Sequence, residues 1–469
     1  MATKDRFGFD ESAARGTRFW RGPHLGRRVF FRHMAAAVGG YFVLPGGALE
    51  QVASAAQAQV TSAAQAPRAT ADFCIFVMMD GGPSHIDTFD LKVGAWTPAA
   101  FNPQTYNGVA WAQGLMPKLA EQMDSVALLR SVKPWATAHG LAQSWLQIAR
   151  NPVSGQNRIA PHIGSIASLE LGPRTANRTL PGFIALNTGM SQGQGYLPPE
   201  HAPFYVSPNG SALRNTTHFD SQAIFDRRHG MLLDLDRDLR ESPELGSAAL
   251  EIARWDDGAR RLMYNAAVTK VFTFDAAERA RYGNSNFGAA CITARNLVRA
   301  DMGTRFIQIN VGGWDMHAGI YTGGLNAGNA NSVGRTFDAG LGTLIADLKS
   351  EGLLDRTLIV AMGEFGRTLG VVNAGAGRDH FQQQAVLMAG ARIRGGRALG
   401  ATDERGARTD DPGWSRDRDI RAEDIGATVY SALGIDWTTI RRDDPSGRGF
   451  EYTPSSRDDL YGPIDELWS

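Results

Sequence analysis

Cysteine is nearly absent, with two residues among 469. That excludes a disulfide framework and any thiolate-rich metal site, both of which need several sulfurs to converge. Cys74 falls in a strand-like apolar run and Cys291 in a helix-like one, so both read as small buried apolar residues. An excess of either charge is missing too. Lys plus Arg and Asp plus Glu each number 48, a formal balance of zero that carries no signature of a nucleic-acid partner. Beyond the N-terminal segment, no run approaches the roughly 20 apolar residues that span a bilayer, so no transmembrane anchor is expected in the mature chain. What remains is 43% apolar and 20% charged, the make-up of a globular protein. At this length the chain forms one large domain with insertions, or two domains. Ten histidines leave room for a His/carboxylate metal site.

The N-terminal segment has an order of its own. "GRRVFFRH" (26–33) pairs two arginines ahead of two phenylalanines, and an uncharged Gly/Ala-rich run follows from Met34 to Leu49. A small, polar stretch comes next, in which Ala56-Gln57-Ala58 fits an A-x-A cleavage signal. This resembles a bacterial twin-arginine export signal with its linker over 1–58. It implies the twin-arginine machinery as a partner and a periplasmic or secreted location. A mitochondrial-type transit peptide or a disordered arm is the alternative. Twin-arginine substrates cross the membrane folded, which suits a protein that acquires a metal or cofactor beforehand.

From residue 72 onward, short continuous apolar runs alternate with helix-like segments. Strands are predicted at 73–79, 125–131, 183–187, 305–311, 357–362 and 385–390. Helices are predicted at 138–149, 160–170, 221–240, 245–270, 286–300, 335–351 and 422–433. Continuous apolar strands are those covered on both faces, so the pattern predicts a doubly wound α/β fold with a mostly parallel sheet. The stretch 188–285 reads as an inserted loop and charged-helix region, and 401–419 as a surface loop.

Open α/β sheets place ligands beyond the carboxyl ends of their strands. Asp80 ends the first predicted strand, and "WATAHG" (135–140) follows the second. "GGWDMH" (312–317) and "GEFGRT" (363–368) end two more, while "GRDHF" (377–381) precedes the last. Asp80 is either a metal ligand or a solvated carboxylate beside the Gly81-Gly82 turn. Ser84 and Asp87 fit a helix-starting capping box better than a triad with His85, because triad partners come from separate elements. Asp315 and His317, released by two glycines, form a carboxylate–imidazole pair suited to a borderline divalent ion, or a buried hydrogen-bonded pair. Glu364 is a candidate base or ligand, and Arg367 a candidate anion clamp, with a mutual ion pair as the alternative. His380 is the better ligand of its block, and Asp379 an orienting carboxylate. Thr137 or Ser131 could act as nucleophile at a helix N-terminus, or Thr137 could simply cap it. His139 joins Thr137 as a catalytic candidate.

Together "GGPSHIDTFD", "HGLAQ", "GGWDMH", "GEFGRT" and "GRDHF", in this order, resemble the DUF1501 family over about 72–440. That family of unknown function is placed in the alkaline phosphatase/sulfatase-like superfamily. The resemblance implies an alkaline phosphatase-like core and a divalent metal, Zn or Mn before Ca or Mg. It implies Asp80, Asp315, His317 and His380 as ligands and a small anionic ester or glycan as substrate. Glu364 and Phe365 stand where the superfamily has an Asp-His pair, and Phe365 cannot ligate. No Cys or Ser sits in a C/S-x-P-x-R context, which disfavours a formylglycine sulfatase. The expectation is an exported metal-dependent hydrolase of phosphate or sulfate esters. Its rival is a catalytically degenerate relative that binds a glycan or a partner protein.

Overall fold

A computed structural model describes residues 66–155, 159–175, 177–188, 192–241 and 247–469. The expected export signal over 1–58 lies outside the described residues. Strands of the main sheet and helices of at least eight residues are numbered in chain order.

The centre of the molecule is β1 (Phe73–Met79), whose seven residues are all buried. Its side chains alternate between two apolar layers. Phe73, Ile75, Val77 and Met79 face one that includes Ile292 and Leu344. Cys74, Phe76 and Met78 face another that includes Ile166 and Val429. A strand that buries both faces has no use for a polar alternation, which is why the run is uninterrupted. Each large apolar side chain so buried contributes about 1.5–3 kcal/mol.

Around β1 lie β2 (Val126–Val132), β3 (Phe183–Leu186), β4 (Phe204–Val206), β5 (Phe306–Val311), β6 (Thr357–Met362), β7 (Gln384–Gly390) and β8 (Arg397–Leu399). The sheet order is β8-β2-β7-β6-β1-β5-β3-β4. Every neighbouring pair is parallel except the two made by β7, which runs against both β2 and β6. The sheet is therefore the mostly parallel α/β sheet that the apolar runs predict, with one reversed strand. The longer helices are α1 (His139–Ile148), α2 (Ile163–Leu171), α3 (Gln222–Leu235), α4 (Ser247–Leu262), α5 (Asn286–Ala300), α6 (Thr343–Ser350) and α7 (Ala422–Ala432). α5 and α6 cover one face and α2 and α7 the other. The stretch 188–285 contributes β4 at the sheet edge, α3, which buries none of its residues, and α4. No described helix is long and apolar enough to cross a membrane.

The helix expected over 335–351 forms as one continuous helical run, an α-helical start at Val333–Phe337, a π-helical turn at Asp338–Gly342, and α6. The π-helical turn is closely packed. A Cβ on Gly340 would lie 2.6 Å from the Phe287 ring, and one on Gly342 would lie 2.7 Å from Lys118 Cβ. The turn also delivers Asp338 to the short helix Pro117–Ala120, whose N-cap, Met116, has no capping side chain. Asp338 accepts from Lys118 N (3.2 Å) and Leu119 N (2.8 Å), supplying that cap from elsewhere in the chain.

Burial pushes the Asp338 carboxyl up to about 6, against the pull of the Leu119 and Lys118 N–H groups. Its unfolded value is about 3.9, so the folded protein holds the extra proton and this group's contribution to stability falls as pH rises from about 4 to 6. Asp338→Asn removes that slope. Urea unfolding of both proteins should show the variant gaining on the wild type by on the order of 3 kcal/mol across this window. A difference independent of pH would contradict the assignment.

Candidate metal centre

The strand ends explain why distant residues meet. β1, β5 and β6 are adjacent and parallel, with Met79 opposite Val311 and Met78 opposite Met362. Their outgoing loops therefore leave the same sheet edge, carrying Asp80, Asp315 with His317, and Glu364 with Arg367. β2 ends at that edge too and leads through Thr137 to His139, the first residue of α1. β7 runs the other way, so its beginning lies where the others end, which brings in Asp379 and His380. A two-stranded ribbon fixes the last approach, pairing His380 with Arg367 and Phe381 with Gly366.

Glu364 sits at the bottom of this cluster with no exposed surface. Its carboxylate accepts from Gly81 N (3.0 Å), Gly82 N (3.1 Å), Gln143 Nε2 (3.1 Å) and His139 Nδ1 (2.7 Å). The first two amides form a small anion nest, which requires left-handed backbone at Gly81 (φ +114°) and Gly82 (φ +71°). Space demands glycine as well. A Cβ on Gly81 would lie 2.3 Å from Asp315 N, and one on Gly82 would lie 2.7 Å from the Phe365 ring.

Three imidazoles share one orientation. Each Nδ1 faces an oxygen that can only accept: Glu364 for His139 (2.7 Å), Asp379 for His317 (2.7 Å) and the Thr137 carbonyl for His380 (2.7 Å). Nδ1 must then carry the proton, which leaves the Nε2 lone pairs pointing inward. Those Nε2 atoms lie 3.4, 3.0 and 3.6 Å from Asp315 Oδ1 for His139, His317 and His380. Arg367 crosses beneath, fully buried. It donates to the Gly81, Gly82 and Arg378 carbonyls and, at 2.6 Å, to Asp315 Oδ1. Burial pushes the Asp315 carboxyl up, but the hydrogen bond and charge of Arg367, with His139 and His317, hold it below its ordinary value.

His139, Asp315 and His380 offer ligand atoms within 4.8 Å of one another. His139 Nε2 is buried with no hydrogen-bond partner, an orphan that a metal bond would satisfy. Two neutral imidazoles and a carboxylate suit a divalent ion of the Zn or Mn type and leave positions open. The donor set fits the metal expected from the sequence. His317 Nε2 is 3.2 Å from His380 Nε2 but also 3.5 Å from Arg367 Nη1, so a cation already leans on it.

The other candidates fall into place around this group. Asp80 stands outside it, because its carboxylate accepts from Asn310 Nδ2 (2.7 Å) instead. Burial pushes Asp80 up to about 6, with Asn310 pulling down and the Glu364 charge pushing further up. Glu364, expected as base or ligand, has its oxygens occupied by N–H donors. Arg367 pairs with Asp315 and not with Glu364. Asp379 orients His317 and not the adjacent His380. Thr137 reaches the site through its carbonyl, and Ala138 stands at the N-cap instead. Ser131 is buried and donates to the Pro412 carbonyl (2.7 Å), so it is no nucleophile. Ser84 starts only a single 3-10 turn, His85–Asp87. Its hydroxyl donates to Asp87 (2.6 Å), which also receives Arg378 Nε (2.8 Å) and Tyr321 OH (2.8 Å). Two participants escaped the sequence reading. Gln143 lies one helical turn after His139 in "HGLAQ", a same-face spacing that signals it. Asn310 is a polar residue at the end of an apolar strand.

A family model described as "Protein of unknown function (DUF1501)" matches residues 71–458. No curated protein matches the chain in sequence. Among solved structures, the chain is similar to a sulfatase from Pseudoalteromonas sp. (12% identity, 84% of this chain and 72% of that chain, TM-score 0.36). It is also similar to a phosphonate monoester hydrolase from Silicibacter pomeroyi (11%, 77% and 73%, 0.37) and to the alkaline phosphatase of the Antarctic bacterium TAB5 (11%, 70% and 95%, 0.32).

Because Gly81 combines a left-handed backbone with contact against Asp315 N, Gly81→Ala should destabilise the fold by more than about 2 kcal/mol in urea unfolding. Unchanged stability would contradict this account of the nest.

Proposed function

Taking as premise that the chain belongs to the DUF1501 family, we propose that it is an exported, metal-dependent hydrolase of phosphate or sulfate esters. The observation that carries this reading is the convergence of the His139, His317 and His380 Nε2 atoms on Asp315 beside a buried arginine. Export rests on the twin-arginine pattern alone.

In this reading His139, Asp315 and His380 hold the divalent ion. When bound, it would supply Lewis acidity toward the ester oxygen and lower the pKa of a bound water. Glu364 positions His139 through Nδ1, as Asp379 and the Thr137 carbonyl position the other two rings. Arg367 offsets Asp315 and adds positive charge where the departing ester accumulates negative charge. As water adds to phosphorus or sulfur, the bond to the leaving oxygen breaks. His317 Nε2, whose lone pair is unprotonated, is assigned to take the proton that the attacking water loses and to pass it to that oxygen. Phe365, with its ring 4.4 Å from His380 and 4.9 Å from His139, walls one side with carbon and favours one ion over two.

A second reading, a silent protein that binds a glycan or a partner, draws on the Arg367–Asp315 pair, which neutralises the carboxylate without an ion. Paired replacement of Asp315 and His317 by Ala separates the two. Turnover is lost on the first reading, and partner binding survives on the second.

Metal analysis of the purified mature protein, with a panel of aryl phosphates and sulfates, tests the proposal. One equivalent of Zn or Mn and metal-dependent turnover are expected, both lost in His380→Ala. Glu364→Gln should weaken metal binding about 10–100-fold. A folded protein with neither metal nor turnover would overturn the reading.

A further inference from the structure

Beyond Asp80 the edge of the sheet opens into a cleft that no role so far uses. Asn310, whose amide donates to Asp80, lines its inner lobe of about 840 Å³, together with Asn187, Thr188, Asn286, Asn331 and Thr336. An outer lobe of about 790 Å³, with Tyr205, Leu262, Met263 and Phe272 on its walls, continues from it. Ser207, Pro208, Asn209 and Arg214 line both lobes, so the two are one elongated cleft bent at Arg214.

The lining has a definite chemistry. Amides and hydroxyls dominate the inner lobe, and an amide both donates and accepts, the pairing that vicinal hydroxyls require. Thr188 Oγ1 is buried there with no partner. Asn286 and Asn331 have no side-chain partner among the described residues. Arg214 is the single charged side chain lining either lobe among the described residues, and it too is unpaired. With no carboxylate among its described lining residues, the cleft favours anions over cations. One guanidinium at the bend suits a sulfate or phosphate group. The apolar wall of the outer lobe suits the C–H faces of sugar rings. Each lobe has the size of a small-ligand site, so the pair takes an oligomer.

We propose that this cleft binds an oligosaccharide carrying anionic ester groups, with Arg214 holding one such group. The inference names the substrate class for the ester-hydrolase reading, and rests on that reading for where the scissile ester lies. Calorimetric binding of sulfated oligosaccharides with galactan, glucan and uronan backbones tests it, against their desulfated forms and inorganic sulfate. A sulfated member should bind the wild type. Arg214→Ala should weaken it about tenfold, to the level of the desulfated chain, and Asn331→Ala should weaken both forms. Turnover of small aryl esters, which do not reach the cleft, should be unchanged in both variants. Failure of every oligosaccharide to bind, or equal binding by wild type and Arg214→Ala, overturns the proposal. Oligosaccharide binding without aryl-ester turnover sinks the hydrolase reading and leaves the cleft. Turnover without oligosaccharide binding does the reverse.

Discussion

Four N–H donors close on the carboxylate of Glu364, and the arrangement of the site depends on that contact. The donors come from the turn after β1 and from the first turns of α1, while Glu364 itself follows β6. A carboxylate without solvent is tolerable only when its lone pairs are satisfied. The same bonds tie three segments together and fix which nitrogen of His139 carries the proton. Arg367, three residues on, closes the opposite side by donating to the carbonyls of Gly81 and Gly82. The Gly-Gly turn is thus held from both sides, its amides by an acid and its carbonyls by a base.

Sheet topology does the rest. Four parallel strands deliver loops to one edge, and the reversed strand β7 delivers its preceding turn to the same edge. Without that reversal, His380 and Asp379 would emerge from the far side of the sheet. The ribbon pairing His380 with Arg367 then sets the imidazole against Asp315. A rigid scaffold carrying its chemistry on loops is the usual division of labour in α/β proteins.

Much of this was legible beforehand. Residues 73–79, 357–362 and 385–390 read as strands because buried strands are continuous apolar runs, and such runs mark ends well. They carry no sign of direction, so the reversal of β7 was invisible. The five blocks were correctly expected at strand ends, but their internal division was not readable. Asp80 and His317 were expected among the ligands, whereas the group within ligand distance has His139 in their place. The cause is local. Asn310 takes the Asp80 carboxylate, and Arg367 leans on His317. Nor could spacing show that Glu364 is consumed by the Gly81 amide 283 residues earlier. The π-helical turn inside helix 335–351 was likewise hidden, since helical periodicity does not report which glycines press against Phe287 and Lys118.

The central claim is that the imidazole nitrogens of His139 and His380 and one carboxylate oxygen of Asp315 form a single cation site. Anomalous diffraction at the zinc edge from crystals of the zinc-soaked protein measures this directly. The account predicts one strong peak about 2.0–2.2 Å from His139 Nε2, His380 Nε2 and an Asp315 oxygen. An absent peak, or one centred on other side chains, would contradict it.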